Sequence, residues 1–200
     1  MKTDIIAVSN KGNQIEAALE QVEKTAAYKG LTGKAAIHLR LLAEEMMGMM
    51  RSITGEPEGE FWIEDEDNVY QLHLRVFTRM DSEKRDQLLS ASSSGKNESA
   101  RGLMGRLRDF FDRGADEDVA PYTGSLMLPG MYDYSSTPAL DWEWSMVNYE
   151  NALSTRLKEN DQAAREAWDE MEKSVVARVA DEVKVFIRGS EVEMVIYKKL

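Results

Sequence analysis

The sequence has no cysteine, which excludes disulfides, thiolate nucleophiles and cysteine-ligated metal sites. It has two histidines, His38 and His73, too few for a histidine-rich zinc centre. No apolar run approaches the ~20 residues needed to cross a bilayer, and the opening MKTDIIAVSN has no long apolar segment of the secretory kind. Positive charge is in deficit: 25 Lys and Arg stand against 36 Asp and Glu, a net charge of −11 at pH 7. Phosphate backbones and anionic lipid surfaces repel such a chain, which argues against nucleic-acid and membrane partners. The expectation is a soluble, cytoplasmic protein with a composition common in bacterial cytosol.

Catalytic motifs are equally scarce. There is no GxSxG, no HExxH and no DxDxDG; the acidic run Glu64-Asp65-Glu66-Asp67 lacks the glycine of a calcium loop and reads as a solvated turn. There is no phosphate loop of the GxxxxGK[ST] kind, because Gly95-Lys96 is followed by Asn97 and no glycine precedes Gly95 by five positions.

Hydrophobic patterning is plentiful, at 42% of 200 residues. The strongest stretch is 31–51, LTGKAAIHLRLLAEEMMGMMR, where Ala36, Leu39, Ala43, Met46 and Met50 share one helical stripe flanked by Leu42 and Met47. His38, Glu45 and Met49 run along its border. Before it, 4–9 reads as a strand, and 14–28 as an amphipathic helix ended by Gly30. After it, 60–65 and 69–78 read as a hairpin linked by Glu66-Asp67-Asn68. Its second strand has Tyr70, Leu72, Leu74 and Val76 on one face and Gln71, His73, Arg75 and Phe77 on the other. On that polar face His73 reads as a solvent-facing or cross-strand packing residue.

Helical patterns return at 81–89 and 100–112, separated by the small, polar stretch 90–99. Residues 114–140 hold three of the four prolines, too long for an ordinary connection. Residues 141–182 read as helix in two pieces broken near Asn160-Asp161, with Trp142 and Trp144 on the apolar surface of the first. The chain closes with a hairpin, 183–188 and 191–198, around Gly189-Ser190. No internal repeat is visible. This order predicts a single α+β domain over 1–200: a two-layer α/β sandwich with a mixed, mostly antiparallel sheet and helices on one face. Residues 114–165 read as an insertion or extra helical segment.

One stretch has the makings of an anion site. Ser92 to Ser99, with Ser94 and Lys96, runs into a helix start at Arg101-Gly102-Leu103-Met104-Gly105. Glycines at a helix N-terminus let backbone N–H groups approach a phosphate. The same residues also suit a flexible linker before an ordinary helix.

The order of elements resembles the histidine-kinase-like ATPase domain of the GHKL superfamily. Leu42-Ala43-Glu44-Glu45-Met46-Met47-Gly48-Met49 resembles its N box, Ser92 to Ser99 its lid, Gly102 to Gly105 its second glycine box, and 183–198 its closing hairpin. The resemblance implies Glu45 as the general base for water, and Ser94, Lys96, Arg101, Gly102 and Gly105 around the phosphates of ATP with Mg²⁺. The sequence departs from the family at the metal and adenine positions. Aligning Glu45 puts Met49 where the Mg²⁺-binding Asn stands, aligning Glu44 puts Gly48 there, and no Asp-x-Gly-x-Gly follows the hairpin. The resemblance therefore implies a degenerate member, regulatory and anti-sigma-like, that binds a protein partner without efficient ATP hydrolysis. Its alternative is an ATPase or serine kinase with a divergent site. A further reading is an unrelated acidic interaction protein, with Trp142, Trp144 and Trp168 forming a homodimer surface.

Overall fold

The structure, a computed structural model, describes residues 1–9, 14–54, 58–77, 142–188 and 191–200. The helices expected at 81–89 and 100–112 lie outside the described residues, as do the stretches 90–99 and 114–140. The elements run β1 (Ile6–Ser9), α1 (Gln14–Tyr28), α2 (Lys34–Thr54), β2 (Glu58–Glu66), β3 (Val69–Phe77), β4 (Trp142–Ser145), α3 (Met146–Lys158), α4 (Gln162–Lys173), α5 (Val175–Val179), β5 (Glu182–Arg188) and β6 (Glu191–Lys199). One six-stranded sheet has the order β1-β2-β3-β6-β5-β4, and all its pairings are antiparallel. The chain is an α+β sandwich, as expected; the sheet, expected to be mixed, is antiparallel throughout its described strands. No helix among the described residues is long and apolar enough to cross a membrane.

Periodicity explains the layers. On α2 the expected stripe is buried apart from its first residue, the half-buried Ala36: Leu39, Ala43, Met46 and Met50, with the flanking Leu42, have no exposed surface. It packs against Phe61 and Ile63 of β2, Tyr70, Leu72 and Leu74 of β3, and Val192, Met194 and Ile196 of β6 in one core. These strand residues alternate along the chain, so they share the helix-facing side of the sheet. α1 ends where Gly30, at φ +67°, lets its own N–H reach the Ala27 carbonyl and the Leu31 N–H reach the Ala26 carbonyl. That Schellman closure satisfies two carbonyls that the helix end would leave bare. The β2–β3 turn is Asp67-Asn68, with φ of 50° and 65°, the type I′ geometry that matches strand twist.

The segment expected to be helix from 141 begins instead as a strand. Trp142 to Ser145 pairs with β5 across Trp142↔Ile187 and Trp144↔Val185. Ser145 then caps α3, its hydroxyl accepting the Asn148 N–H. The break at Asn160-Asp161 is present, with Asn160 at φ 60°. Ser174 caps a further short helix, separate from the second expected piece, its hydroxyl accepting the Ala177 N–H. Residues 142–165 thus supply an edge strand and a helix over it. Leu153, Ala164, Ala167 and Met171 of α3 and α4 form a second small core. Trp144 packs against the main core and Trp168 against this second one.

Candidate functional site

The residues marked out by sequence fall in two places. On α2, Glu45 is half-buried and makes no hydrogen bond or ion pair with any described residue. Its neighbour Glu44 points outward to Arg40, 3.0 Å away. Met49 is not a border residue: it is 3% exposed and belongs to the core, as do Met46, Met47 and Met50. The methionine tract therefore serves packing. Ser94, Lys96, Arg101, Gly102 and Gly105 lie outside the described residues.

The second place is the sheet face turned away from the helices, and its centre is built by strand register. Trp62 of β2 stands directly opposite His73 of β3. Their rings stack with centroids 4.6 Å apart and an interplanar angle of 11°. Two cations approach the indole: the Arg75 guanidinium lies 4.8 Å from the Trp62 ring centroid and the Lys2 ammonium 5.2 Å. The indole N–H donates to Glu64 at 2.8 Å, and Lys2 pairs with the same carboxylate at 2.8 Å. These two contacts, Lys2 first, hold the Glu64 carboxyl below its ordinary range.

Across the β3–β6 seam, His73 Nδ1 lies 2.9 Å from Glu193 Oε1. An ionised carboxylate only accepts, so Nδ1 carries the hydrogen and donates. This hydrogen bond keeps the Glu193 carboxyl below its ordinary range, against the opposing effect of burial. The other ring nitrogen, Nε2, is buried and has no partner among the described residues. Arg75 faces Glu60 at 3.6 Å and Glu191 at 3.7 Å, ion pairs too long to be hydrogen bonds, and its Nε is also buried without a hydrogen-bond partner among the described residues. Arg188 reaches Glu193 at 3.9 Å. Trp62 is 2% and His73 8% exposed.

Chemically this is an imidazole fixed by a carboxylate on one nitrogen and with the other buried, set in a face of acids and bases facing each other across strands. Glu45 belongs to the helix layer and His73 points to the opposite face, so the structure does not bring the two together. The cross-strand packing expected of His73 is present, with Trp62. Its partner Glu193 was not foreseen, because 120 positions separate the two and only the β3–β6 register joins them. No group of three or more His, Asp or Glu side chains suited to a metal occurs among the described residues. Comparison with protein-family models, curated proteins and solved structures finds no match.

Proposed function

We propose that this chain is a regulatory binding module that acts on a protein partner, in the manner of a degenerate histidine-kinase-like ATPase-fold protein, and that it does not hydrolyse ATP efficiently. The observation that carries this reading is the burial of Met49. If Glu45 is the activating glutamate of the resembled family, the residue four positions on should hold Mg²⁺. Here that position is a thioether packed into the core, and a buried thioether is a poor ligand for a hard cation. The alternative alignment puts Gly48 there, which has no side chain to offer. Phosphoryl transfer relies on a metal to neutralise developing charge, and a lone carboxylate on α2 does not replace it.

A second reading keeps Glu45 as the base of a nucleotide site in which ATP with Mg²⁺ is held by Ser94, Lys96, Arg101, Gly102 and Gly105. It is favoured by one feature: Glu45 is half-buried and not engaged by any described residue. Isothermal titration with ATP and ADP, with and without Mg²⁺, separates the two. The proposed reading expects no saturable heat at millimolar nucleotide. Saturable binding in the micromolar range, weakened in Glu45→Ala and Gly102→Ala, would overturn it in favour of the second.

A further inference from the structure

We infer that the chain is two copies of one β-α-β-β unit joined in tandem, and that His73, the centre of the Trp62–His73–Glu193 cluster, lies at the pseudo-twofold axis between them. The first unit is β1, the helices α1 and α2, then β2 and β3. The second is β4, the helices α3 to α5, then β5 and β6. The sheet order β1-β2-β3-β6-β5-β4 places the units side by side with opposite strand direction at the seam, as a twofold axis normal to the sheet requires.

Register makes the argument quantitative. Each hairpin closes on a pair separated by two residues, Glu66↔Val69 and Arg188↔Glu191. Laying one turn on the other sets Phe61 on Val183, Ile63 on Val185, Tyr70 on Val192, Leu72 on Met194 and Leu74 on Ile196. Every one of these is a buried core residue. The same superposition sets His73 on Val195, and these two are also direct partners across the seam. A residue that pairs with its own equivalent lies on the axis. The His73–Glu193 hydrogen bond therefore crosses from one unit to the other, and neither unit alone holds the cluster.

The axis also relates two gaps. From Phe77 to Trp142 the chain must cross from β3 past β6 and β5 to β4; from Lys199 to Met1 it would cross from β6 past β3 and β2 to β1. Each is three strand spacings of ~4.8 Å, about 14 Å, which about five extended residues span.

A circular permutant tests this: Leu200 joined to Met1 through an eight-residue Gly/Ser linker, with the chain opened between Gly114 and Ala115. A second permutant carries no linker, and one ~3.8 Å step does not cover the gap. The linked permutant is expected to match the parent in far-UV circular dichroism and in mass by light scattering, with a Tm lowered by no more than about 10 °C. The unlinked one is expected to melt lower still or to exchange elements as a dimer. A linked permutant that does not fold, or an unlinked one that matches it, would overturn the inference.

Discussion

His73 and Asp65 are the two buried polar side chains whose surroundings make the sharpest demands. Replacing His73 with Ala removes the donor to Glu193, whose side chain is only 12% exposed, and strips the stack from Trp62. A buried carboxylate left without its donor costs about 1–3 kcal/mol. His73→Ala should therefore lower the urea midpoint by that equivalent. His73→Ala/Glu193→Gln should recover part of the loss, and an unchanged midpoint in the single variant would count against the cluster's burial. Asp65 lies on the helix-facing side of β2, 2.8 Å from Lys29 Nζ and 3.3 Å from the Met1 ammonium. Burial pushes its carboxyl upward, but Lys29 and the ammonium together outweigh that and leave it below the ordinary 3.8. The unfolded chain then binds the proton more readily than the folded one. This contribution is whole above the ordinary carboxylate range and fades as pH falls through 3.8 toward the folded value. Urea unfolding of Asp65→Asn between about pH 6 and pH 3 should show a shallower loss of stability with acid than the parent. Parallel curves would refute this.

At the scale of elements, close approach and turn geometry set the costs. A Cβ on Gly59 would come within 2.7 Å of the Arg75 carbonyl oxygen and 3.1 Å of a Val76 methyl, in a part of β2 pressed between β3 and the core. Backbone cannot move aside as a flexible side chain can, so Gly59→Ala should destabilise by about 1–3 kcal/mol in chemical denaturation. The β2–β3 turn offers the opposite change. Asn68 sits at φ 65°, where glycine is at ease, and Asn68→Gly should stabilise by about 0.5–1 kcal/mol, read as a higher Tm. The sequence made these elements legible wherever a period was sustained. The α2 stripe, the inward residues of β3 and the closing hairpin can be read directly, because burial on one face imposes periods of 3.6 or 2. The four residues Trp142 to Ser145 are too few to show a period against the helix that follows. The site was less legible still. Trp62, His73 and Glu193 come from three strands, and the pairing of β3 with β6 that unites them depends on packing between distant segments, not on any local pattern.

For the whole molecule, charge and topology dominate. Exposed ion pairs such as Glu20 with Lys24 contribute little and weaken with salt. The net charge of −11 works against compaction, and salt screens that repulsion as well. Because the repulsion sums over the whole surface while each exposed pair contributes little, raising ionic strength from about 0.05 to 0.5 M should raise Tm by a few degrees. A fall in Tm would show that the ion pairs outweigh the repulsion.

The central seam also sets an order of events during synthesis. β3 is made early and finds its outer neighbour β2 across a two-residue turn, but its inner neighbour β6 is the last strand to be made. Throughout that interval the first half of the chain carries a nine-residue strand with one hydrogen-bonding edge unoccupied. Closing such a distant contact is slow. The nascent polypeptide is therefore most exposed to chaperones, and to wrong neighbours, at the very strand that becomes the middle of the finished sheet.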